Sequence, residues 1–222
     1  MAKSSWGTRA WAVLAVVAWS GVVLQLGLSI ALAQSNGRAA VDGVVAFLGY
    51  FTVLSNLFVA LVATLPLLRG ERSAGRAAGS ALVAGCATTA ILTVGIGYHL
   101  LLRHVWAPQG LQWVADVILH YAVPLAALAC WTAWPPATRF DLRLPLLWCL
   151  YPIGYGVYAV VRGAVLGSYP YPFIDVAVLG YRQVLLNMLG LLVCFLVLGY
   201  AVLAVAAWRT RARARSVHRI DG

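Results

Sequence analysis

The side chains best suited to chemistry are a hydroxyl and an imidazole in two separate apolar stretches of the chain. Thr52 lies in YFTVLSN and His120 lies in VILHYAVPL. A hydroxyl attacks an acyl carbon only when a base removes its proton, and a neighbouring imidazole is the usual base. Thr52 and His120 are therefore candidates for a nucleophile and its base. The alternative is structural, because such residues in membrane helices commonly hydrogen-bond adjacent helices.

An acidic residue accompanies the imidazole. Asp116 precedes His120 by four residues, so the two side chains lie on one helical face, a turn apart. The carboxylate could orient the imidazole, or it could pair with Arg162, and the sequence leaves both alternatives open. Counting along the apolar stretches places Asp116 and Arg162 at nearly the same depth. This favours a charge-paired rim at one end of the protein.

A polar stripe runs along a third stretch. Tyr151, Tyr155, Tyr158 and Arg162 follow one another at spacings of four, three and four residues, which is one continuous face of a helix. Such a face could line a substrate chamber, with tyrosine hydroxyls donating to a developing oxyanion and the guanidinium binding a free carboxylate. The candidates for substrate binding or oxyanion stabilisation are Ser55, Asn56, Asp116, Tyr155, Tyr158 and Arg162.

Six long apolar stretches must position these residues. They cover approximately 10–33, 44–68, 79–102, 111–133, 142–166 and 183–208. Each is longer than the roughly 20 residues that an α-helix needs to cross about 30 Å of hydrocarbon, and only 10% of the chain is charged. The predicted fold is all-α: a polytopic membrane protein with a six-transmembrane-helix bundle, forming a single domain over residues 1–222.

The basic residues indicate how the bundle is oriented. Of the 16 Lys and Arg residues, twelve fall on one predicted side and four on the other. The positive-inside rule therefore places both termini in the cytoplasm and the chain in the plasma membrane. Residues 209–222 are a basic cytoplasmic tail that is expected to lie at the inner leaflet. The net charge of +10 is explained by the orientation in the membrane, so we expect no nucleic acid partner. The first stretch is too long for a usual cleaved signal and is expected to be retained.

The ionisable residues within the stretches lie toward one end, which indicates a polar chamber. At 1.5 Å per residue, Thr52 lies about 12 Å and His120 about 14 Å below the same predicted surface, so the two are level. Ionisable groups in hydrocarbon usually face a cavity or a partner, because burying them is costly. We therefore expect a chamber with an apolar floor, covered by the connection GSYPYPFIDVAVLGYRQ between the last two stretches.

The cysteines and histidines predict no metal site. Cys86, Cys130, Cys149 and Cys194 lie inside predicted spans without a short paired spacing, which is typical of apolar packing residues. The histidines show neither HExxH nor another compact ligand spacing. We therefore expect no metal and no cofactor.

Three segments together resemble a known family. YFTVLSN around Thr52, ILHYAVPL around His120 and VRGAVLGSYPYPFIDV after the fifth stretch resemble the androgen-induced protein and androgen-dependent TFPI-regulating protein family, especially its bacterial members. The resemblance extends over nearly the whole chain in the number, order and motif placement of the spans. It implies a six-helix intramembrane threonine hydrolase for fatty acid esters of hydroxy fatty acids. It also implies that Thr52 is the nucleophile and His120 the essential histidine.

The sequence therefore predicts an intramembrane threonine esterase. Its substrate is expected to be a lipid ester, with a free carboxylate bound near Arg162. The alternative is a non-enzymatic membrane protein, either a lipid or small-molecule transporter or a subunit that binds heme or quinol. Heme would favour paired axial histidines, and a transporter would more often have broken helices in corresponding halves. The sequence pattern indicates neither feature.

Overall fold

The computed structural model of the protein describes residues 2–68, 81–105, 107–135 and 141–218. Every secondary-structure element within these residues is helical. Among them, five helices are long and apolar enough to cross a membrane, or six when one bent pair counts as a single span. The predicted all-α, polytopic membrane fold is therefore confirmed.

The helices alternate with short connections, and two of the spans contain π-helical segments. In chain order the elements are α1 (Ala2–Ser35), α2 (Ala40–Leu48), α3 (Phe51–Leu68), α4 (Ala81–Gly97), π1 (Tyr98–Leu102), α5 (Gly110–Val117), π2 (Ile118–Ala122), α6 (Val123–Ala133), α7 (Leu144–Trp148), α8 (Leu150–Leu166), a 3-10 turn (Pro172–Ile174) and α9 (Val176–His218). π1 continues α4, and π2 joins α5 to α6.

Three predicted stretches agree with observed spans to within two residues at each end. The stretches 79–102, 111–133 and 142–166 correspond to Ala81–Leu102, Gly110–Ala133 and Leu144–Leu166. Apolar length alone locates these spans, because a helix that crosses hydrocarbon must remain apolar along its whole length.

The second predicted span, 44–68, is not one straight helix. α2 and α3 are separated by Gly49 and Tyr50, and the two helices are bent by 82°. The prediction of one continuous helix over this span is therefore wrong. The depth of Thr52 cannot be counted along a straight axis either, because Thr52 is the second residue of α3. The break therefore brings Thr52 to a helix N-terminus.

The last helix is longer than its predicted span, 183–208. α9 begins at Val176, contains a non-helical residue at Gly180 (φ 72°, ψ 159°) and continues to His218. The first part of the predicted basic tail is therefore helical, and Arg209 Nε donates to the Thr132 carbonyl across 3.1 Å. Some residues used for the orientation lie outside the described residues, namely Arg69, Arg72, Arg76, Arg139 and Arg219. The cytoplasmic placement of the termini stays a prediction.

The core is centred on α4, which packs against α3, α6, α7 and α9. Two large aromatic side chains, Trp131 and Trp148, are fully buried there. A Cβ at Gly85 would lie 2.2 Å from Cζ2 of Trp148, so glycine provides the space for that ring. Cys86, Cys130 and Cys149 are unpaired and buried, as expected for packing residues, whereas Cys194 is exposed. The inner part of the bundle is therefore apolar and closely packed.

Candidate active site

The structure brings the predicted nucleophile and base together. Oγ1 of Thr52 and Nε2 of His120 are 3.4 Å apart, although the residues are 68 positions apart in sequence. This is the long end of hydrogen-bond reach. Such contacts are often loose without substrate and tighten when it binds. The expected proximity is therefore confirmed, and the catalytic role stays a prediction.

Asp116 orients the imidazole of His120. Nδ1 of His120 lies 3.0 Å from the backbone carbonyl oxygen of Asp116 and 3.1 Å from its carboxylate Oδ1. Both groups are acceptors, so Nδ1 carries the proton in the neutral ring. Nε2 is then an unprotonated acceptor directed at the Thr52 hydroxyl, which is the tautomer that a general base requires. Asp116 could orient the imidazole or pair with Arg162, and the structure shows it in contact with the imidazole.

Tyr98 completes the surroundings of His120 and was missed in the sequence. Its ring stacks on the imidazole with centroids 3.9 Å apart, and its hydroxyl donates to Oδ2 of Asp116 across 2.7 Å. The short hydrogen bond fixes the second oxygen of the carboxylate. Tyr98 lies four residues from the end of the stretch 79–102, so the depth count places it about 6 Å below the surface, near Asp116 rather than level with His120.

Both π-helical segments lie at this site. π1 begins with Tyr98 and π2 contains His120. Pro124 lacks the N–H group that would bond the His120 carbonyl four residues earlier, which accounts for the wider turn at π2. Gly95 allows α4 to approach closely, because a Cβ there would lie 3.0 Å from the His120 carbonyl oxygen. The loosened turn and the close approach together position the stacked rings.

Thr52 lies in the first turn of α3, where backbone N–H groups lack helical partners. Its own N–H donates to the hydroxyl oxygen of Tyr171, with 3.3 Å between N and O. The positive end of the α3 dipole also lies here, and it favours negative charge. An oxyanion that forms on a substrate beside Thr52 would therefore develop in a favourable electrostatic environment.

Tyr171 is the second site residue that was not singled out in the sequence. It lies in the predicted covering connection, is buried, and stacks on Phe173 with ring centroids 5.0 Å apart. Burial raises the pKa of the Tyr171 hydroxyl above its ordinary value. The group therefore stays protonated near neutral pH and can donate a hydrogen bond. Its position in a cluster of aromatic residues and prolines was the available signal.

Asn56 and Ser55 hold the site together without facing a substrate. Nδ2 of Asn56 donates to the carbonyl oxygens of Thr52 at 2.8 Å and Leu119 at 3.2 Å. Ser55 Oγ pairs with the Tyr151 hydroxyl at 3.3 Å. Both side chains are fully buried. The Asn56 amide nitrogen is engaged within the protein and its Oδ1 is buried without a partner among the described residues, so the predicted role of Ser55 and Asn56 in binding substrate or an oxyanion stays a prediction.

The tyrosines of the polar stripe bind the end of α2 rather than a substrate. The Tyr155 hydroxyl donates to the Gly49 carbonyl at 3.0 Å, and the Tyr158 hydroxyl donates to the Leu48 carbonyl at 3.2 Å. The last carbonyl groups of a helix have no partner within that helix, so these bonds satisfy them. Each hydroxyl therefore already has a backbone partner, and the role of Tyr155 and Tyr158 as oxyanion donors stays a prediction. They stabilise the break that precedes Thr52.

Arg162 belongs to the same support. Its Nη2 donates to the Val45 carbonyl at 3.0 Å and its Nη1 to the Ser168 carbonyl at 3.3 Å. A cation at a helix C-terminus is favoured by the helix dipole. A Cβ at Gly49 would lie 2.9 Å from Cζ of Arg162, so glycine is needed for this approach. The predicted ion pair with Asp116 is wrong, because that carboxylate binds Tyr98 and His120.

Two cavities meet at Thr52. The first, here called the polar cavity, has a volume of about 520 Å³, and its polar lining includes Gln25, Arg38, Asp42, Gln112, Asp116 and His120. The second, here called the apolar cavity, has a volume of about 320 Å³ and is lined mainly by aliphatic and aromatic side chains of α4, π1, α8 and α9. Both are lined by Thr52, Tyr98, Leu102 and Tyr171.

The cavities differ from the single chamber that the sequence predicted. Most of the hydrogen-bonding side chains line one of two adjoining spaces, the polar cavity, whose lining is otherwise apolar. Pro170, Tyr171 and Pro172 of the connection also line this cavity, as expected of a cover. Arg162, Tyr158, Ser55 and Asn56 line neither cavity. Of the predicted candidates, Thr52, Asp116 and His120 line the polar cavity together, and Thr52 and Tyr155 line the apolar cavity.

The described residues contain no group of three or more His, Cys, Asp or Glu side chains that could hold a metal ion. The fold and the site define an α-helical polytopic membrane protein with a Thr–His–Asp arrangement between two cavities. No protein-family model, no curated protein and no solved structure matches the chain. The resemblance to the androgen-induced protein family therefore stays a prediction.

Proposed function

We propose that the protein is an intramembrane threonine esterase that hydrolyses lipid esters. One observation carries the proposal. Oγ1 of Thr52 lies 3.4 Å from Nε2 of His120, whose Nδ1 contacts Asp116, and this line of groups lies where two cavities meet. A nucleophile, its base and an orienting acid are the parts that acyl transfer to a hydroxyl requires.

The first step transfers the acyl group to Thr52. Oγ1 attacks the ester carbonyl carbon while Nε2 of His120 takes the hydroxyl proton, and a tetrahedral intermediate forms. The bond to the alcohol oxygen then breaks, and the alcohol leaves with the proton returned from His120. The Asp116 carboxylate stabilises the positive imidazolium that exists between these two transfers.

Tyr171 and the N-terminus of α3 stabilise the oxyanion of this intermediate. The Tyr171 hydroxyl accepts a hydrogen bond from the Thr52 N–H and keeps its own proton for donation. The hydroxyl already lies beside the Thr52 backbone before the reaction begins, so it needs little rearrangement when charge develops. One such donor contributes about 3 kcal/mol to transition-state stabilisation.

The second step releases the acid and restores the enzyme. Water from the polar cavity attacks the acyl–Thr52 ester while His120 takes a proton from it, and the threonine oxygen leaves with that proton. The products are one alcohol and one carboxylic acid for each water consumed. His120 lines the polar cavity, so water reaches the base from that side.

Arg38 is the group that we assign to a carboxylate on the substrate. It lines the polar cavity, and its Nε lies 3.9 Å from Asp42 in an exposed ion pair. Exposed pairs of this kind contribute at most about 1 kcal/mol, so a ligand can redirect the guanidinium. Arg162 was the predicted anchor, but both of its Nη groups donate to backbone carbonyls, and its Nε is buried without a partner among the described residues. An ester that carries a free carboxylate fits Arg38 instead.

Hydrolysis by the purified protein in lipid nanodiscs tests the proposal. Thr52→Ala and His120→Ala should each reduce the release of fatty acid from a long-chain ester by at least about 10³-fold, because nucleophilic and general-base catalysis are both lost. Thr88→Ala is the matched control, since its hydroxyl bonds the Ala84 carbonyl of its own helix and lines neither cavity. Equal activity of Thr52→Ala and Thr88→Ala would exclude the nucleophile.

A further inference from the structure

The apolar cavity has the shape and lining of a site for a hydrocarbon chain. One end of the cavity reaches Thr52, and the rest lies between α4 with π1, α8 and α9. Leu192 and Phe195 of α9 and Val94 of α4 form part of its wall. Its side chains offer few hydrogen-bonding groups, so the cavity favours aliphatic ligands over polar ones.

The outer rim of this cavity faces the surroundings of the bundle. Leu101, Val157 and Leu185 line the cavity and are also 54%, 60% and 61% exposed. Large exposed apolar side chains on membrane-spanning helices lie against the hydrocarbon of the bilayer. The cavity is therefore open sideways to lipid, between π1, α8 and α9, and a chain can enter without passing through water.

The polar cavity offers more hydrogen-bonding groups than the apolar cavity, beside apolar side chains such as Phe47, Val53 and Leu119. Gln112 Nε2 donates to Gln25 Oε1 at 2.9 Å, and the Arg38–Asp42 pair lies on another part of the lining. The donors and acceptors that these pairs leave over can bind the hydroxyl, carboxylate or ester oxygens of a ligand. The two cavities thus prefer different halves of an ester whose carbonyl lies at Thr52.

We propose that the acyl chain of the substrate enters sideways from the bilayer into the apolar cavity, while the alcohol part occupies the polar cavity. The inference rests on the proposed esterase and adds its substrate class: esters of long-chain fatty acids with a polar, oxygen-bearing alcohol. In the reaction, the acyl group stays in the apolar cavity as the Thr52 ester while the alcohol departs through the polar cavity.

Gly97 provides a way to shorten the apolar cavity. It lines the cavity, and a Cβ placed on it meets no heavy atom within 4 Å. A leucine side chain at this position therefore extends into open space rather than into a neighbouring helix. It occupies the room of about three chain methylenes, each of which contributes roughly fourfold to binding of a long chain. We therefore expect reaction with long-chain ligands to slow by about 60-fold, and reaction with short-chain ligands to be unchanged.

Alkyl fluorophosphonates that carry a butyl or a hexadecyl chain measure this penalty. In the labelling reaction Thr52 Oγ1 bonds to phosphorus, the P–F bond breaks, and fluoride and the hydroxyl proton are released. Gly97→Leu should be labelled by the butyl probe as fast as the native protein, and about 60-fold more slowly by the hexadecyl probe. Gly97→Val should show a smaller loss, which provides a second measurement if the leucine variant does not fold.

Gly190→Leu is the matched control. Gly190 lies in α9, is exposed, has open space around its Cβ and lines neither cavity. It should be labelled by both probes at the native rates. Equal loss or no loss with both probes in Gly97→Leu and Gly97→Val would refute the acyl site while leaving the esterase intact. Failure of the native protein to react with either probe would instead refute the proposed function.

Discussion

Replacing Asp116 by asparagine separates the two acceptors that hold His120. The change removes the negative charge but keeps an amide oxygen of similar size near Nδ1. The Tyr98 hydroxyl, which lies 2.7 Å from Oδ2, can accept a hydrogen bond from the NH₂ group of the introduced asparagine. The amide oxygen of the asparagine then remains free to face the imidazole. The backbone carbonyl of Asp116, 3.0 Å from Nδ1, is unaffected.

The size of the effect follows from this geometry. Losing the carboxylate removes one charge-assisted hydrogen bond to the imidazolium, a contribution of about 1.5–3 kcal/mol. The carbonyl still favours a proton on Nδ1, so His120 keeps the tautomer with a free Nε2. We expect kcat/KM for ester hydrolysis to fall by about 10–100-fold, well short of the loss expected for His120→Ala.

The assay is the steady-state hydrolysis of a long-chain ester in nanodiscs, with thermal unfolding measured in parallel. Asp175→Asn is the control, because Asp175 Oδ1 accepts from the Ala177 N–H at the start of α9 and asparagine can replace it there. It should leave kcat/KM unchanged. A loss of less than threefold for Asp116→Asn would refute the role of the carboxylate in supporting the base.

Two further predictions concern the oxyanion and the substrate carboxylate. Tyr171→Phe should lower kcat by about 10²-fold with little change in KM, because a transition-state donor is removed while the ring stack on Phe173 remains; unchanged kcat would exclude that donor. Arg38→Ala should lower the ratio of hydrolysis rates, free-carboxylate ester over its methyl ester, by about tenfold. Arg162→Ala should lower the unfolding temperature and leave that rate ratio unchanged. Equal ratios in the native protein and Arg38→Ala would refute the assignment.

Apolar length carried most of the fold prediction. The spans Ala81–Leu102 and Gly110–Ala133 could be located because hydrocarbon tolerates few charged residues over such a length. The break at Gly49–Tyr50 was not predicted, because both halves of the bent pair remain apolar and no proline marks the bend. Its cause is tertiary, since Tyr155, Tyr158 and Arg162 bind the carbonyls released at the end of α2.

The polar stripe illustrates what helical spacing can and cannot predict. Tyr151, Tyr155, Tyr158 and Arg162 do share one face, and all four contact α2, α3 or the residues between them. Spacing predicts that face, but it cannot distinguish a cavity from a neighbouring helix end as its partner. The same limit applies to Asn56, whose amide binds two backbone carbonyls.

The Thr52–His120 pair could be predicted because an imidazole is unusual at that depth in the membrane and the depth count placed the threonine level with it. Tyr98 and Tyr171 could not be distinguished from other interfacial tyrosines by residue type alone. Their roles depend on the π1 and π2 turns and on the fold of the connection before α9, which bring one ring onto His120 and one hydroxyl to Thr52.

The most direct test of the central claim is to map the covalent adduct after a fluorophosphonate reacts with the native protein in nanodiscs. Peptide mass spectrometry should find a single phosphonyl group on Thr52, and the His120→Ala variant should carry none under the same conditions. An adduct on another residue, or undiminished modification of Thr52 without His120, would contradict a threonine nucleophile activated by this imidazole.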